Sequence, residues 1–123
     1  MQVKIDTKEI FHIIRLKENV VTANMTEELA ERLLTFLETD IKNVVLNMED
    51  ISTLEDAAAE HLVTVQQKFY EHHASFVICG LNTQVEEMLD SSGLLEIMNH
   101  TPTESEAYDI VQMEEIEREL LDE

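Results

Sequence analysis

The sequence predicts an α/β domain, a mixed β-sheet of four to five strands with about four helices mainly on one face. Three observations lead to this class. A short apolar run with β-branched residues, Val44–Leu46, has the pattern of a strand covered on both sides, and Ser75–Cys79 is a second apolar strand. Between them lie longer segments whose apolar residues recur at helical spacing. Strand and helix alternate in the later part of the chain, which implies right-handed crossovers.

The elements follow in order. Val3 and Ile5 alternate with Gln2, Lys4 and Asp6, giving a half-exposed first strand. Glu9–Leu16 is the second, with Phe11 and Ile13 on one face, Ile10 a further candidate there, and Ile14 and Leu16 on the other. His12, inside it, has no second ligand at useful spacing and reads as a satisfied histidine. Lys17–Asn19 turn into a short strand, Val20–Ala23. Asn24, with Glu27 three residues later, is the expected cap of a helix whose stripe is Leu29, Ala30, Leu33, Leu34 and Leu37. The buried strand Asn43–Met48 follows, and then a helix from about Glu55 to Glu71 with Leu54, Ala58, Leu62, Val65 and Phe69 inward. His72 and His73 diverge around its end, where they suit the helix dipole better than a metal, and His61 is three turns earlier. Ser75–Cys79 is a strand closed by Gly80, and Asn82 caps a short helix stopped by Gly93. Leu94–Met98 reads as an edge strand or extended segment. Thr103 and Glu106 form a second capping box for a last helix, roughly Glu104–Leu121, with Ala107, Ile110 and Val111 inward and Met113 a further candidate. Residues 1–113 are expected to form the domain and residues 114–123 an acidic helical extension that projects or frays, with Ile116, Leu120 and Leu121 as a seam for a partner helix.

Composition bounds the function. A chain of 123 residues with 44% hydrophobic content forms one core without metals or disulfides. The single cysteine, Cys79, sits in an apolar run and reads as a core residue of a reduced, cytoplasmic protein. Eight basic residues against 27 acidic ones give a formal net charge of −19, which disfavours nucleic acid and anionic membranes. The first residues lack the apolar region of a signal peptide, and no apolar run is long enough to span a bilayer, so membrane insertion is not expected.

Ile41–Asp56 organises the chain, running from a helix exit through a buried strand and a polar loop into the next helix. Thr53 is the expected cap of that helix and Asp56 an acid at its positive end. In open α/β sheets such loops, at the carboxyl ends of strands, carry function. No nucleophile–base pair, metal-ligand spacing or Gly-rich phosphate loop accompanies the carboxylates, so no enzyme and no cofactor is implied.

Four stretches, Leu16–Leu34, Ile41–Leu62, Ser75–Leu89 and Ser91–Met98, together resemble STAS domains, most closely the sporulation-type anti-sigma factor antagonists. The resemblance covers about Val3 to Met113. It implies a non-catalytic regulatory module, acting in transcription regulation, that binds an anti-sigma factor, a kinase of the histidine-kinase-like ATPase type. In that family the partner phosphorylates a serine in an Asp-Ser-Ser-Gly motif at the start of the second helix. Matched residue by residue, Glu55 takes the aspartate, Asp56 the phosphoacceptor serine, Ala57 the second serine and Ala58 the glycine. The acceptor hydroxyl is missing. Asp56 then either holds a permanent copy of the phosphorylated charge or only supports the helix N-terminus. Ser52 and Thr53 remain beside it as hydroxyls, better explained as turn or cap residues. A second Asp-Ser-Ser-Gly, Asp90–Gly93, ends the third helix and reads as a C-terminal cap. The implied docking surface is the loop with Ser52, Thr53, Glu55, Asp56 and Ala57, beside the Asn24–Met25 turn. The protein would act as a monomer or weak dimer. STAS-like domains also serve as permanent subunits or scaffolds of transporters and sensory complexes, and that role is the alternative.

Overall fold

The computed structural model describes residues 1–121. Its central sheet has the order β1-β2-β4-β6-β7, formed by Val3–Thr7, Phe11–Leu16, Asn43–Asn47, Phe76–Cys79 and His100–Thr101. β1 is antiparallel to β2, and the other neighbours are parallel. A two-stranded pair, β3 (Val20–Val21) with β5 (Thr53–Leu54), lies apart from it. The helices are α1 (Ala23–Leu34), α2 (Asp56–Glu71), α3 (Thr83–Ser91) and α4 (Glu104–Leu121), with one-turn 3₁₀ segments at Thr35–Glu38 and Leu95–Ile97.

The pleat sorts the core into two layers. Ile14, Leu16, Val44, Leu46, Phe76 and Ile78 face Leu29, Leu33, Leu62, Phe69 and Leu89 of α1, α2 and α3. Phe11, Ile13, Val45, Val77 and Cys79 face Ala107 and Val111 of α4. Three helices thus cover one face and a single helix the other, as the continuous apolar strands require. His12 is satisfied: Thr7 Oγ1 lies 2.9 Å from Nδ1, Ile41 O lies 2.8 Å from Nε2, and the ring stacks on Phe36. At the end of α2, His72 Nδ1 lies 2.7 Å from Lys68 O, and His73 adopts a left-handed backbone with φ 59°.

Four expectations need correction. α1 begins two residues early, with Thr22 as its cap. Thr22 Oγ1 accepts the Met25 N–H at 3.4 Å, and Met25 Sδ accepts the Thr22 N–H, so Asn24 lies inside the first turn. Thr53 does not cap α2, because it is paired in β5; Glu55 occupies the cap position. Leu94–Met98 is a 3₁₀ turn, because Leu94 O accepts from Ile97 N and Met98 N and closes the chain on itself. The acidic stretch from residue 114 is tied down through Arg118. Tyr70 donates to Glu114 (2.7 Å), Asn43 Nδ2 to Glu115 (2.8 Å) and Arg118 to Ser75 Oγ (3.0 Å). Asp122 and Glu123 lie outside the described residues.

Candidate functional site

The carboxyl ends of β2 and β4 deliver two loops to the same place. Asn19 O accepts from Ser52 N (2.8 Å), Thr53 N (3.1 Å) and Ser52 Oγ (3.0 Å). These bonds begin the β3–β5 pair, which continues to Glu55 N donating to Val21 O at 3.0 Å. Under the loop, Met48, Ile51 and Leu54 are buried and anchor it to the core. Asn82 fixes its far side, donating to Ile51 O while its Oδ1 accepts the Val85 N–H at the start of α3.

The consequence is that α1 and α2 start side by side. Glu55 makes no side-chain bond to its own helix. Its carboxylate instead accepts the backbone N–H of Ala23, the first residue of α1, at 2.8 Å. An acid at the positive end of α1 is a favourable placement, and it satisfies a donor that a helix start leaves open. One turn deeper, Thr26 Oγ1 and His61 Nδ1, 2.7 Å apart, join the two helices again.

The surface left by this arrangement is small and polar. Asn24, Ser52, Thr53, Glu55, Asp56 and Ala57 are exposed, and Met25 is half-buried beneath its own cap. Asp56 is the first residue of α2, and among the described residues no side chain bonds or pairs with it. Ser52 points its hydroxyl back to Asn19, the turn role expected of it. The second Asp-Ser-Ser-Gly is the end of α3: Ser92 Oγ donates to Leu89 O at 3.0 Å and Gly93 takes φ +78°. Glu49, Asp50, Glu55 and Asp56 surround the loop, and the nearby cation Lys17 is held by Asp50 at 3.3 Å.

Behind the loop, a second polar group braces the strand ends. Arg15 donates to Glu104 through Nε and Nη2, both 2.9 Å, and to Asp6 at 2.7 Å. Asn47 Nδ2 donates to the same Glu104 at 2.6 Å, and its Oδ1 accepts the Glu49 N–H at 2.9 Å. The Arg15 hydrogen bonds hold the Glu104 carboxyl below its usual range, and its carboxylate partners keep Arg15 charged. No local pattern in the chain points to this network, since its members are up to 89 residues apart. Cys79 is buried beside it, its thiol pushed up to about 12 by burial, as a core residue should be. Among the described residues no group of His, Cys, Asp and Glu has the arrangement to hold a metal ion, and no helix is long and apolar enough to cross a membrane.

The STAS domain family model matches residues 2–107. Among solved structures, the chain is similar to a putative anti-sigma factor antagonist of Thermotoga maritima, with TM-score 0.75, 17% identity, and 89% of this chain and 94% of that one covered. It is similar also to a serine-to-glutamate variant of RsbS from Moorella thermoacetica, with TM-score 0.75, 17% identity and coverage of 91% and 96%. A third likeness is to the murine anion transporter Slc26a9, with TM-score 0.70 and 14% identity, covering 88% of this chain but 18% of the transporter. At these identities the structural likenesses speak for the fold alone.

Proposed function

The chain belongs to the STAS domain family, and on that premise we propose that it is a non-catalytic regulatory binding module of the anti-sigma factor antagonist type. It docks an anti-sigma factor or related kinase-like ATPase through the twin helix starts, with Asn24 and Met25 on one side and Ser52–Ala57 on the other. The observation that carries this reading is the Glu55–Ala23 bond. It locks two loops into one exposed surface, on which, among the described residues, no side chain pairs with Asp56. A preorganised surface of this kind loses little entropy on binding. Asp56 stands where the family has its phosphorylatable serine, so a fixed negative charge replaces the switchable one. The acidic rim fits a basic partner surface, and binding weakens with salt.

The second reading is a permanent subunit or scaffold of a transporter or sensory assembly, favoured by the likeness to the transporter's STAS-sized portion. A pull-down with wild type and Asp56→Ser separates the two. Capture of a histidine-kinase-like ATPase, bound differently and able to phosphorylate the serine variant, supports the regulatory reading. One stoichiometric complex captured equally by both variants, with no phosphate taken up, favours the scaffold and overturns the switch.

A further inference from the structure

α4 has two apolar faces. Ala107 and Val111 fasten its first half to the sheet, and Glu114, Glu115 and Arg118 continue the same face with hydrogen bonds to Tyr70, Asn43 and Ser75. The opposite face carries Met113, Ile116 and Leu120, exposed by 58%, 54% and 67%. Their spacing, i, i+3, i+7, puts them within about 60° of one another around the helix axis. This is the a–d–a spacing of a helix-pairing seam, with Arg118 at the position farthest from it. Isolated apolar residues on a surface need no explanation, but a stripe aligned opposite a docked face is a different matter.

The residues beside the stripe decide what covers it. Gln112, Glu117 and Glu119 occupy the flanking positions and are exposed, so both flanks are acidic or neutral. An antiparallel second copy would set Glu117 and Glu119 against the same acids, and a parallel one would set Glu117 against Gln112, so neither orientation brings a cation to these flanks, which disfavours self-pairing. From the stripe and its acidic flanks, we infer that the outer face of α4 docks a basic amphipathic helix of another protein, with apolar residues on the stripe and Lys or Arg against Glu117 and Glu119. This surface is independent of the loop site. Glu104 lies by Asn47 at the carboxyl end of β4, whereas Glu115 lies by Asn43 at its amino end. The stripe therefore sits at the far end of the strands and on the other face of the sheet, and both surfaces can be occupied at once.

The test is isothermal titration of the full chain with a synthetic amphipathic peptide carrying Leu and Ile at the a and d positions and Lys at the flanking ones. A peptide of the same composition in scrambled order is the control. The heptad peptide should bind about tenfold tighter than the control, and Ile116→Glu with Leu120→Glu should abolish that preference. Both residues are exposed, so the variant should retain the wild-type melting curve. Equal binding of the two peptides, or an undiminished preference in the variant, overturns the inference. Sedimentation equilibrium showing a dimer that Ile116→Glu dissolves would overturn it in favour of a second copy.

Discussion

The Glu55 carboxylate, one residue ahead of α2, accepts the first N–H of α1 at Ala23 from 2.8 Å away. A side chain at the start of one helix thus serves as an acidic cap for another. The β3–β5 pair brings the two starts within reach. The candidate docking surface has a single origin in that contact and that pair.

Glu55→Ala should therefore lower stability by about 1 kcal/mol, the usual cost of losing a side-chain cap. It should also weaken partner binding more than its own exposure explains, because the α1 turn with Asn24 and Met25 loses its tie. Glu55→Gln keeps an acceptor oxygen and should recover most of the loss. Urea unfolding measures the first effect and titration with the captured partner the second. No change in either for Glu55→Ala would show that β3–β5 alone sets the geometry.

The Arg15–Glu104 pair makes stability depend on acid pH. Glu104 is lowered by its hydrogen bonds from Arg15. For Glu115 burial acts upward, but hydrogen bonds from Asn43 and Arg118 outweigh it and the carboxyl again lies low. A folded value below the unfolded one, about 4.5, contributes stability that is present above that pH. It is lost as the pH falls through the folded value. Glu104→Gln should be less stable than wild type at neutral pH, with a gap that closes below about pH 4.5. Urea midpoints across that range check it; a constant gap would place the acid sensitivity elsewhere.

Gly80 and Gly93 give a paired test of backbone demands. Both have positive φ, +76° and +78°. A Cβ at Gly80 would lie 3.3 Å from both Asn47 Oδ1 and Glu49 Cβ, whereas among the described residues nothing lies within 4 Å at Gly93. Gly80→Ala should cost about 1–2 kcal/mol from the left-handed backbone alone, plus displacement of the Asn47–Glu49 turn under the loop. Gly93→Asn, an exchange that tolerates this φ in open space, should cost less. Thermal melts of the two variants decide the order.

Helix interiors and buried strands were legible because their periodicity depends on the chain alone. Leu62, Val65 and Phe69, and the continuous runs of β4 and β6, lie buried as their spacing demanded. Helix starts were less legible. Asn24 and Thr22 are both good caps, and the choice falls to Thr22 because β3 ends at Val21. Thr53 has a cap's chemistry as well, but its N–H is taken by Asn19 O, 34 residues back, and the helix starts only after that pairing ends. β5, two residues long, is too short to show a period, whereas β3 falls within the expected strand Val20–Ala23. At the site, exposure of Asn24, Ser52 and Asp56 followed from the loop reading, whereas the Glu55–Ala23 tie did not, since nothing local in the sequence links the two.

The most direct measurement is a hydrogen-exchange footprint of the chain alone and with the partner protein that the pull-down captures. The expected result is slowed exchange at the Thr22–Met25 turn and the Ile51–Ala59 loop together, with the rest of the sheet unchanged and the effect reduced in high salt. Protection confined to other surfaces, with both helix starts exchanging as in the free protein, would contradict the assignment of the twin helix starts as the docking site.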